Sequence, residues 1–179
     1  MKATGIVRRI DDLGRVVIPK EIRRTMRIRE GDPLEIFTSA GGEVIFKKYS
    51  PIGELSTFAT EYAESLSKAT DLAVLICDRD HCIAASGISK REVIEKGVTP
   101  ELEALMESRS TFNSLNDSKV FYALENVERK VLVAHPIISA GDVSGAVVLL
   151  VGEKADTPTE TDVKLSFVAA GFLGKQMED

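Results

Sequence analysis

The strands predicted in the first fifty residues carry apolar side chains on both faces, which constrains the fold more than any other feature. Strand-like runs and one short predicted helix alternate in the order β, β, α, β, β, with the strands at residues 5–10, 15–18, 34–38 and 43–48. Strands that are apolar on both faces need a covering layer on each side. Fifty residues folded alone bury only about 60% of their surface. We therefore expect a second copy of the chain to supply the missing layer.

The helix predicted over residues 19–28 separates charged from apolar side chains. Pro19 suits the first helical position, and Glu21 favours the positive end of the helix. Helical spacing places one set of cations on a single face, opposite Ile22 and Met26: Lys20, Arg23, Arg24 and Arg27. Like charges three or four residues apart cost about 0.2 to 0.5 kcal/mol per pair. This face favours DNA or RNA as a partner, and a solvated surface is the alternative.

The charge of the chain is uneven. Residues 1–50 hold 11 basic and 7 acidic residues, a balance of +4, whereas the other 129 residues hold 12 and 21, a balance of −9. Within the first 29 residues the count is 9 basic to 3 acidic. This asymmetry indicates a cationic module for an anionic partner, joined to an acidic body.

The run from Thr4 to Thr25 contains the core Gly14-Arg15-Val16-Val17-Ile18-Pro19 and closely resembles the DNA-binding module of AbrB-type transition-state regulators. The resemblance implies an intertwined swapped-hairpin β-barrel dimer that binds double-stranded DNA. It also implies which side chains contact DNA, namely Arg8, Arg15, Arg23 and Arg24, with Arg9, Lys20 and Arg27 as weaker candidates.

The second half of the chain alternates helical and strand-like patterns. A short linker, Tyr49 to Gly53, is marked by its proline and glycine and predicts domains at residues 1–52 and 53–179. Helices are predicted from Leu55 to Leu66, over 100–109, and, behind a capping box at Thr157 to Glu160, over 158–177. Strands are predicted at 72–77, 82–86, 118–124, 130–138 and 143–151. We expect an antiparallel sheet with helices to one side, and an α+β protein overall.

Element order and short stretches such as residues 75–80 and 169–173 make this half similar to GAF domains. That resemblance implies a sensor fold that commonly accepts small ligands, so we expect a role in ligand sensing or oligomerisation. With the AbrB-like module in front, the whole chain resembles regulators of sporulation in spore-forming Firmicutes. The resemblance implies action in the forespore.

Two groups of residues could imitate a catalytic or metal site. Cys77, Cys82, His81 and His135 lack the spacing of a zinc site, and packed cysteines with a turn histidine explain them better. Asp78 and Asp80 could be an acid/base pair, but a solvated turn explains them better, because the sequence offers no nucleophile or metal partner for them. We predict no enzyme activity, no metal and no cofactor.

The chain also lacks the patterns of membrane insertion and secretion. The uncharged stretch from Val143 to Gly152 is half the roughly 20 residues that a spanning helix needs. Arg8, Arg9, Asp11 and Asp12 occur before an apolar signal region could form. We expect a cytoplasmic, nucleoid-associated protein that does not contact the membrane.

The function predicted from these features is that of a sequence-specific DNA-binding transcription regulator, acting as activator or repressor. One alternative is an antitoxin, since some antitoxins share the swapped-hairpin fold and bind a toxin through a tail. Here the tail would be 129 residues with the composition of a folded domain, which argues against it. The other alternative is a metabolite-binding protein or enzyme whose basic segment merely dimerises.

The helix predicted over 158–177 has apolar residues on two opposite faces. Leu165, Val168 and Phe172 share one face, and Phe167 and Leu173 share the other. One face can cover the sheet of its own domain, so the other predicts pairing with a second copy. Together with the N-terminal dimer this gives a homotetramer. The alternative is that the helix from Leu55 to Leu66 covers the second face within one protomer.

Overall fold

A computed structural model describes residues 4–178 of the chain. It divides into two compact units, and the division falls between Tyr49 and Ser50. The predicted boundary after residue 52 lies three residues further along and stays a prediction. None of the helices among residues 4–178 is long and apolar enough to cross a membrane.

The first unit contains one short helix and one hairpin. Helix α1 spans Lys20–Thr25, and strands β1 (Leu34–Thr38) and β2 (Val44–Lys48) pair in antiparallel register around a turn at residues 39–43. The amide of Gly42 donates to the carbonyl of Ser39 at 3.0 Å and closes that turn. Local sequence therefore predicted this hairpin to within one residue.

The hairpin predicted at residues 5–18 forms only its turn. Within the described residues the chain on both sides of that turn is assigned to neither strand nor helix up to Pro19. The turn itself is closed by the amide of Asp11, which donates to the carbonyl of Arg15 at 3.1 Å. A strand exists only where a neighbouring strand pairs with its backbone. The strands predicted at residues 5–10 and 15–18 are not assigned within this single chain, and the predicted dimer would have to supply their partners.

The first unit lacks an interior of its own. Among the described residues 4–49 none is buried. Many of its large apolar side chains are exposed, among them Val7, Ile10, Leu13, Val17, Ile36, Val44 and Phe46. Exposed apolar groups at this density mark a surface that is covered by another molecule.

The second unit is built on a five-stranded antiparallel sheet. Its elements are α2 (Pro51–Glu54), α3 (Ser56–Thr70), β3 (Ala73–Asp78), β4 (Cys82–Ser86), α4 (Lys90–Val93), α5 (Pro100–Glu107), β5 (Phe112–Asn113), β6 (Val131–Ser139), β7 (Asp142–Leu150) and α6 (Glu160–Gln176). The strand order is β4-β3-β7-β6-β5, and each neighbouring pair is antiparallel. The predicted antiparallel sheet is confirmed.

Helices cover both faces of this sheet, so the prediction of helices to one side is wrong. Along β3, Leu75 and Cys77 point into a core shared with α5, whereas Val74 and Ile76 point into a core shared with α3 and α6. Strands with apolar side chains on both faces require two covering layers. The same argument that predicts a covering layer for the first unit applies within the second unit.

Two further predictions are corrected. Residues 118–124 form no continuous strand, and only isolated bridges join Tyr122 to Lys130 and Leu124 to Val98 in this part of the described chain. The capping box of α6 lies two residues later than predicted. The hydroxyl of Thr159 accepts from the amide of Asp162 at 3.2 Å, and the Asp162 carboxylate accepts from the amide of Thr159 at 2.7 Å.

Candidate nucleic-acid interface

The turn before Arg15 is organised by the side chain of Asp11. One carboxylate oxygen accepts from the amide of Leu13 at 3.1 Å and from the amide of Arg15 at 2.8 Å. Gly14, with φ of 76°, adopts the left-handed conformation that a three-residue hairpin loop requires. The carboxylate therefore satisfies two backbone donors of the loop.

The other Asp11 oxygen accepts from Arg15 Nε at 2.8 Å. The Arg15 amide, and then its side chain, hold the pKa of Asp11 below its ordinary value because both stabilise the charged carboxylate. The Arg15 side chain is nevertheless 70% exposed. Arg15 therefore presents a guanidinium to solvent that is already fixed at one edge.

Helix α1 carries three of the predicted contact residues, Lys20, Arg23 and Arg24. Lys20 and Arg24 are exposed, and Arg23 is half-buried. Within the described residues, Arg23 Nε is buried and has no hydrogen-bond acceptor. A buried donor of this kind is costly unless a bound molecule or a second copy supplies the acceptor.

The helix ends before Arg27, so the prediction of a four-cation helical face extending to that residue is wrong. The amide of Arg27 donates to the carbonyl of Arg24 at 3.3 Å, and the amide of Ile28 donates to the carbonyl of Arg23 at 2.7 Å. Arg27 has φ of 50°. These two bonds and the left-handed residue form a Schellman termination, which takes Arg27 off the helix.

Lys48 ties the end of α1 to strand β2. Its Nζ donates to the carbonyl of Arg27 at 2.8 Å and lies 3.7 Å from the carboxylate of Asp32. Asp32 in turn accepts from the amide of Arg29 at 2.8 Å. The loop after α1 is therefore held against the hairpin by a lysine from the end of the unit.

All seven predicted contact residues lie in the first unit. Arg8 and Arg9 are exposed on the extended segment before the turn. Sequence reasoning missed Asp11 and Lys48, whose side chains position this unit. An acid followed four residues later by an arginine, across a glycine turn, is a signal that could have identified Asp11.

The two cysteines that the sequence offered as possible metal ligands lie in the packed core. Cys77 and Cys82 lie opposite each other on β3 and β4 as buried free thiols. Hydrogen bonding to Cys82 and burial raise the pKa of the Cys77 thiol, which suppresses its reactivity. Among residues 4–178, no three His, Cys, Asp or Glu side chains are grouped as a metal site would require.

The second unit contains an open cavity of about 430 Å³ beside α4. Its charged lining comprises the cations Arg91, Lys96 and Arg129 and the acids Glu92 and Glu128. Ile88 and Val127 add apolar surface. The lining therefore combines three cations and two acids with a small apolar area.

Comparison with known proteins identifies the family. Residues 54–178 match the family model of the stage V sporulation protein T C-terminal region, described as a transcription factor. The chain is 53% identical over 180 residues to stage V sporulation protein T of Bacillus subtilis, which covers 99% of each chain. The chain belongs to the stage V sporulation protein T family. Its members are transcription factors that regulate sporulation, as the sequence predicts.

The two units have separate relatives. Residues 7–53 match the model of the MazE antidote-toxin recognition family of bacterial antitoxins. Over 51 residues, 28% of this chain and 52% of the relative, the chain is 59% identical to the transition state regulatory protein AbrB of Bacillus subtilis. The predicted resemblance to AbrB is confirmed.

The fold of the second unit is similar to a solved GAF domain. The GAF domain of an Acinetobacter phosphoenolpyruvate-protein phosphotransferase superposes with a TM-score of 0.54 and 11% identity. The match covers 69% of this chain and 81% of that domain. The predicted GAF-like fold is confirmed, and at this identity the likeness concerns the fold alone.

Proposed function

We propose that this transcription factor binds double-stranded DNA through a dimer of its first unit. The observation that carries the proposal is the combination of cationic and uncovered apolar surface in one small unit. Nine of the first 29 residues are basic. Val17 is 71% exposed and Ile36 is 62% exposed. A second copy buries the apolar surface, and the dimer then offers two sets of arginines to one duplex.

Within this proposal Arg8, Arg15, Arg23 and Arg24 contact DNA, with Arg9, Lys20 and Arg27 as weaker candidates. Six of these side chains are exposed, which supports the assignment, and Arg23 is half-buried with an Nε that has no acceptor in the described part of the chain. A phosphate oxygen is one acceptor that would satisfy this donor, and a group of the second copy is the other.

A salt titration of binding tests the proposal. If four arginines from each of two protomers neutralise phosphates, the slope of log affinity against log salt is about −7. Arg23→Ala and Arg24→Ala should each cost about 1 to 3 kcal/mol in DNA binding without unfolding the chain. Lys68→Ala is the control, because it removes an exposed cation from the second unit. Equal affinities for all four proteins, or a slope near zero, would contradict the proposal.

We also propose that the second unit pairs with another copy, which gives a homotetramer. On α6, Phe167 and Val168 are 63% and 58% exposed. Phe172 is partly covered by α3, where its ring stacks on Tyr62 at 5.8 Å between centroids and lies 5.9 Å from Phe58. Contact with α3 in the same protomer thus covers Phe172 in part, but Phe167 and Val168 stay exposed to solvent.

Light scattering of the full chain tests this assembly. Phe167→Glu should convert tetramers to dimers, because a carboxylate cannot be buried unpaired in an apolar interface. Gln176→Glu adds the same charge at an exposed position of the same helix and should leave the mass unchanged. Dimers in the wild type at tens of micromolar would refute the second interface.

The cavity beside α4 supports a further proposal, that the second unit senses a small anionic metabolite. Three cations and two acids line the cavity, so its local charge favours a carboxylate or phosphate ligand. Thermal shift of the full chain with carboxylates and phosphates is the test, since a ligand at 100 times its dissociation constant stabilises by about 2.7 kcal/mol. Arg91→Ala should abolish a shift that Lys154→Ala leaves intact.

We propose that the protein has no catalytic activity and acts in the cytoplasm, on the nucleoid of the forespore. The family description as a transcription factor supports the first point. The sporulation relative that matches along the whole chain supports the second. Detection of a fluorescent fusion in the mother cell alone would contradict the location.

A further inference from the structure

We propose that Asp11 is a specificity-determining residue that aims Arg15 at a guanine edge. The inference rests on the proposed DNA binding and deepens it. Arg15 is held at its Nε by the Asp11 carboxylate at 2.8 Å, while its side chain stays 70% exposed. A restrained and exposed guanidinium is unusual, because solvent-exposed arginines ordinarily sample many rotamers.

The donors that Arg15 leaves available suit one kind of acceptor. A guanidinium has five N–H donors in a fixed planar fork, and Asp11 occupies the one on Nε. The remaining donors lie on the two terminal nitrogens. That end of the fork matches the O6 and N7 acceptors of guanine in the major groove, which is the commonest specific arginine contact with DNA.

The position of Asp11 is itself determined by the loop. Its second oxygen accepts from the amides of Leu13 and Arg15, at 3.1 and 2.8 Å. The carboxylate is therefore anchored to the backbone of the turn before it meets the guanidinium. Contact with phosphate needs only positive charge, and an adjacent acid weakens it. The acid beside Arg15 therefore favours a role in orienting the arginine for base reading over simple contact with phosphate.

Asp12 provides a matched control for charge. It is the next residue, it is exposed, and it makes none of the contacts of Asp11 within the described residues. Asp11→Asn keeps an oxygen acceptor for the loop amides and loses the charged partner of Arg15. Asp12→Asn removes the same charge without affecting that partner.

The experiment compares full-length wild type, Asp11→Asn and Asp12→Asn on three duplexes. The first is the duplex recovered when wild type selects from a random double-stranded pool, the second is its scrambled sequence, and the third carries 7-deazaguanine in place of guanine. Asp11→Asn should lower the affinity ratio of selected to scrambled duplex by roughly 5- to 150-fold, the range for one bidentate base contact. Asp12→Asn should strengthen binding to both duplexes by the same factor.

Replacement of guanine N7 gives the second readout. Wild type should lose affinity for the 7-deazaguanine duplex, and Asp11→Asn should be much less sensitive to it. If Asp11→Asn changes both natural duplexes equally, or keeps the sensitivity of wild type, the inference is overturned while DNA binding stands. Failure of wild type to prefer any duplex would overturn the proposed sequence-specific binding as well.

Arg15→Lys decides the matter if Asp11→Asn alters the circular dichroism or the mass of the chain. It keeps the positive charge and the Asp11 bonds to the loop amides, but it lacks the planar fork. We expect Arg15→Lys to bind the scrambled duplex as wild type does and to be less sensitive to 7-deazaguanine than wild type, because its ammonium lacks the fixed pair of donors. Sensitivity equal to that of wild type would overturn the inference.

Discussion

Replacement of Gly174 by alanine tests the closest approach between α6 and the sheet. A Cβ at this position would lie 2.1 Å from the carbonyl oxygen of Ile138 and 3.1 Å from its carbonyl carbon. Ordinary carbon–oxygen contacts are at least about 3.3 Å, so the helix and β6 would have to separate locally by about 1.2 Å. The obstacle is backbone within a sheet and cannot rotate away as a flexible side chain could.

The expected effect is the difference between two opposing terms. Alanine in a helix interior is more favourable than glycine by about 1 kcal/mol. Overpacking against a well-packed core costs about 1 to 3 kcal/mol, and a backbone obstacle places Gly174→Ala near the upper end. We expect a net loss of about 2 kcal/mol in the free energy of unfolding. For a unit of this size that lowers the melting temperature by about 6 to 10 °C.

Gly171 provides the control on the same helix. It is exposed, and a Cβ there would meet no atom within 4 Å among the described residues. Gly171 shares a helix face with Phe167 and Val168, so both variants are compared in the Phe167→Glu background. There Gly171→Ala should show only the gain in helix propensity, about 1 kcal/mol, and should raise the melting temperature. Calorimetry of the full chain measures both variants on the transition of the second unit. A Gly174→Ala protein that melts at or above the temperature of its Phe167→Glu parent would refute the steric argument.

Three other predictions concern stability. Burial holds the pKa of His135 below its ordinary value of 6.5, so on acidification the unfolded chain is protonated before the folded one. The free energy of unfolding should therefore fall as the pH drops below about 7. In denaturant titrations at several pH values, His135→Gln should show a smaller change of unfolding free energy with pH than wild type. Thr159→Ala removes the cap of α6 and should cost about 1 kcal/mol, whereas an unchanged midpoint in urea would show that the cap is dispensable. The melting temperature of the first unit should fall on hundredfold dilution of the protein, because the stability of an intertwined dimer depends on protomer concentration. A melting temperature that stays constant on dilution would contradict dimerisation.

Local patterns were enough to predict elements whose stability is decided by neighbours along the chain. Strands β1 and β4 begin and end at the predicted residues, and α5 begins at Pro100 as expected. Turn residues, helical periodicity and caps act over a few residues, so a single sequence contains them in full. The AbrB-like run likewise indicates the family of the first unit, and the uneven charge indicates its anionic partner.

Contacts between distant residues decided the rest. The extended segments around Asp11 are apolar and strand-like, yet a strand needs a partner that one chain does not provide here. Residues 118–124 have strand-like composition, but β6 already pairs with β7 on one side and with β5 on the other, so no edge of β6 is left for them. Packing between elements decides three features that the sequence did not indicate. They are the second layer of helices, the close approach of Gly174 to Ile138, and the bond from Lys48 to the loop after α1. Periodicity shows which face of an element is apolar, but only tertiary structure decides which element covers it.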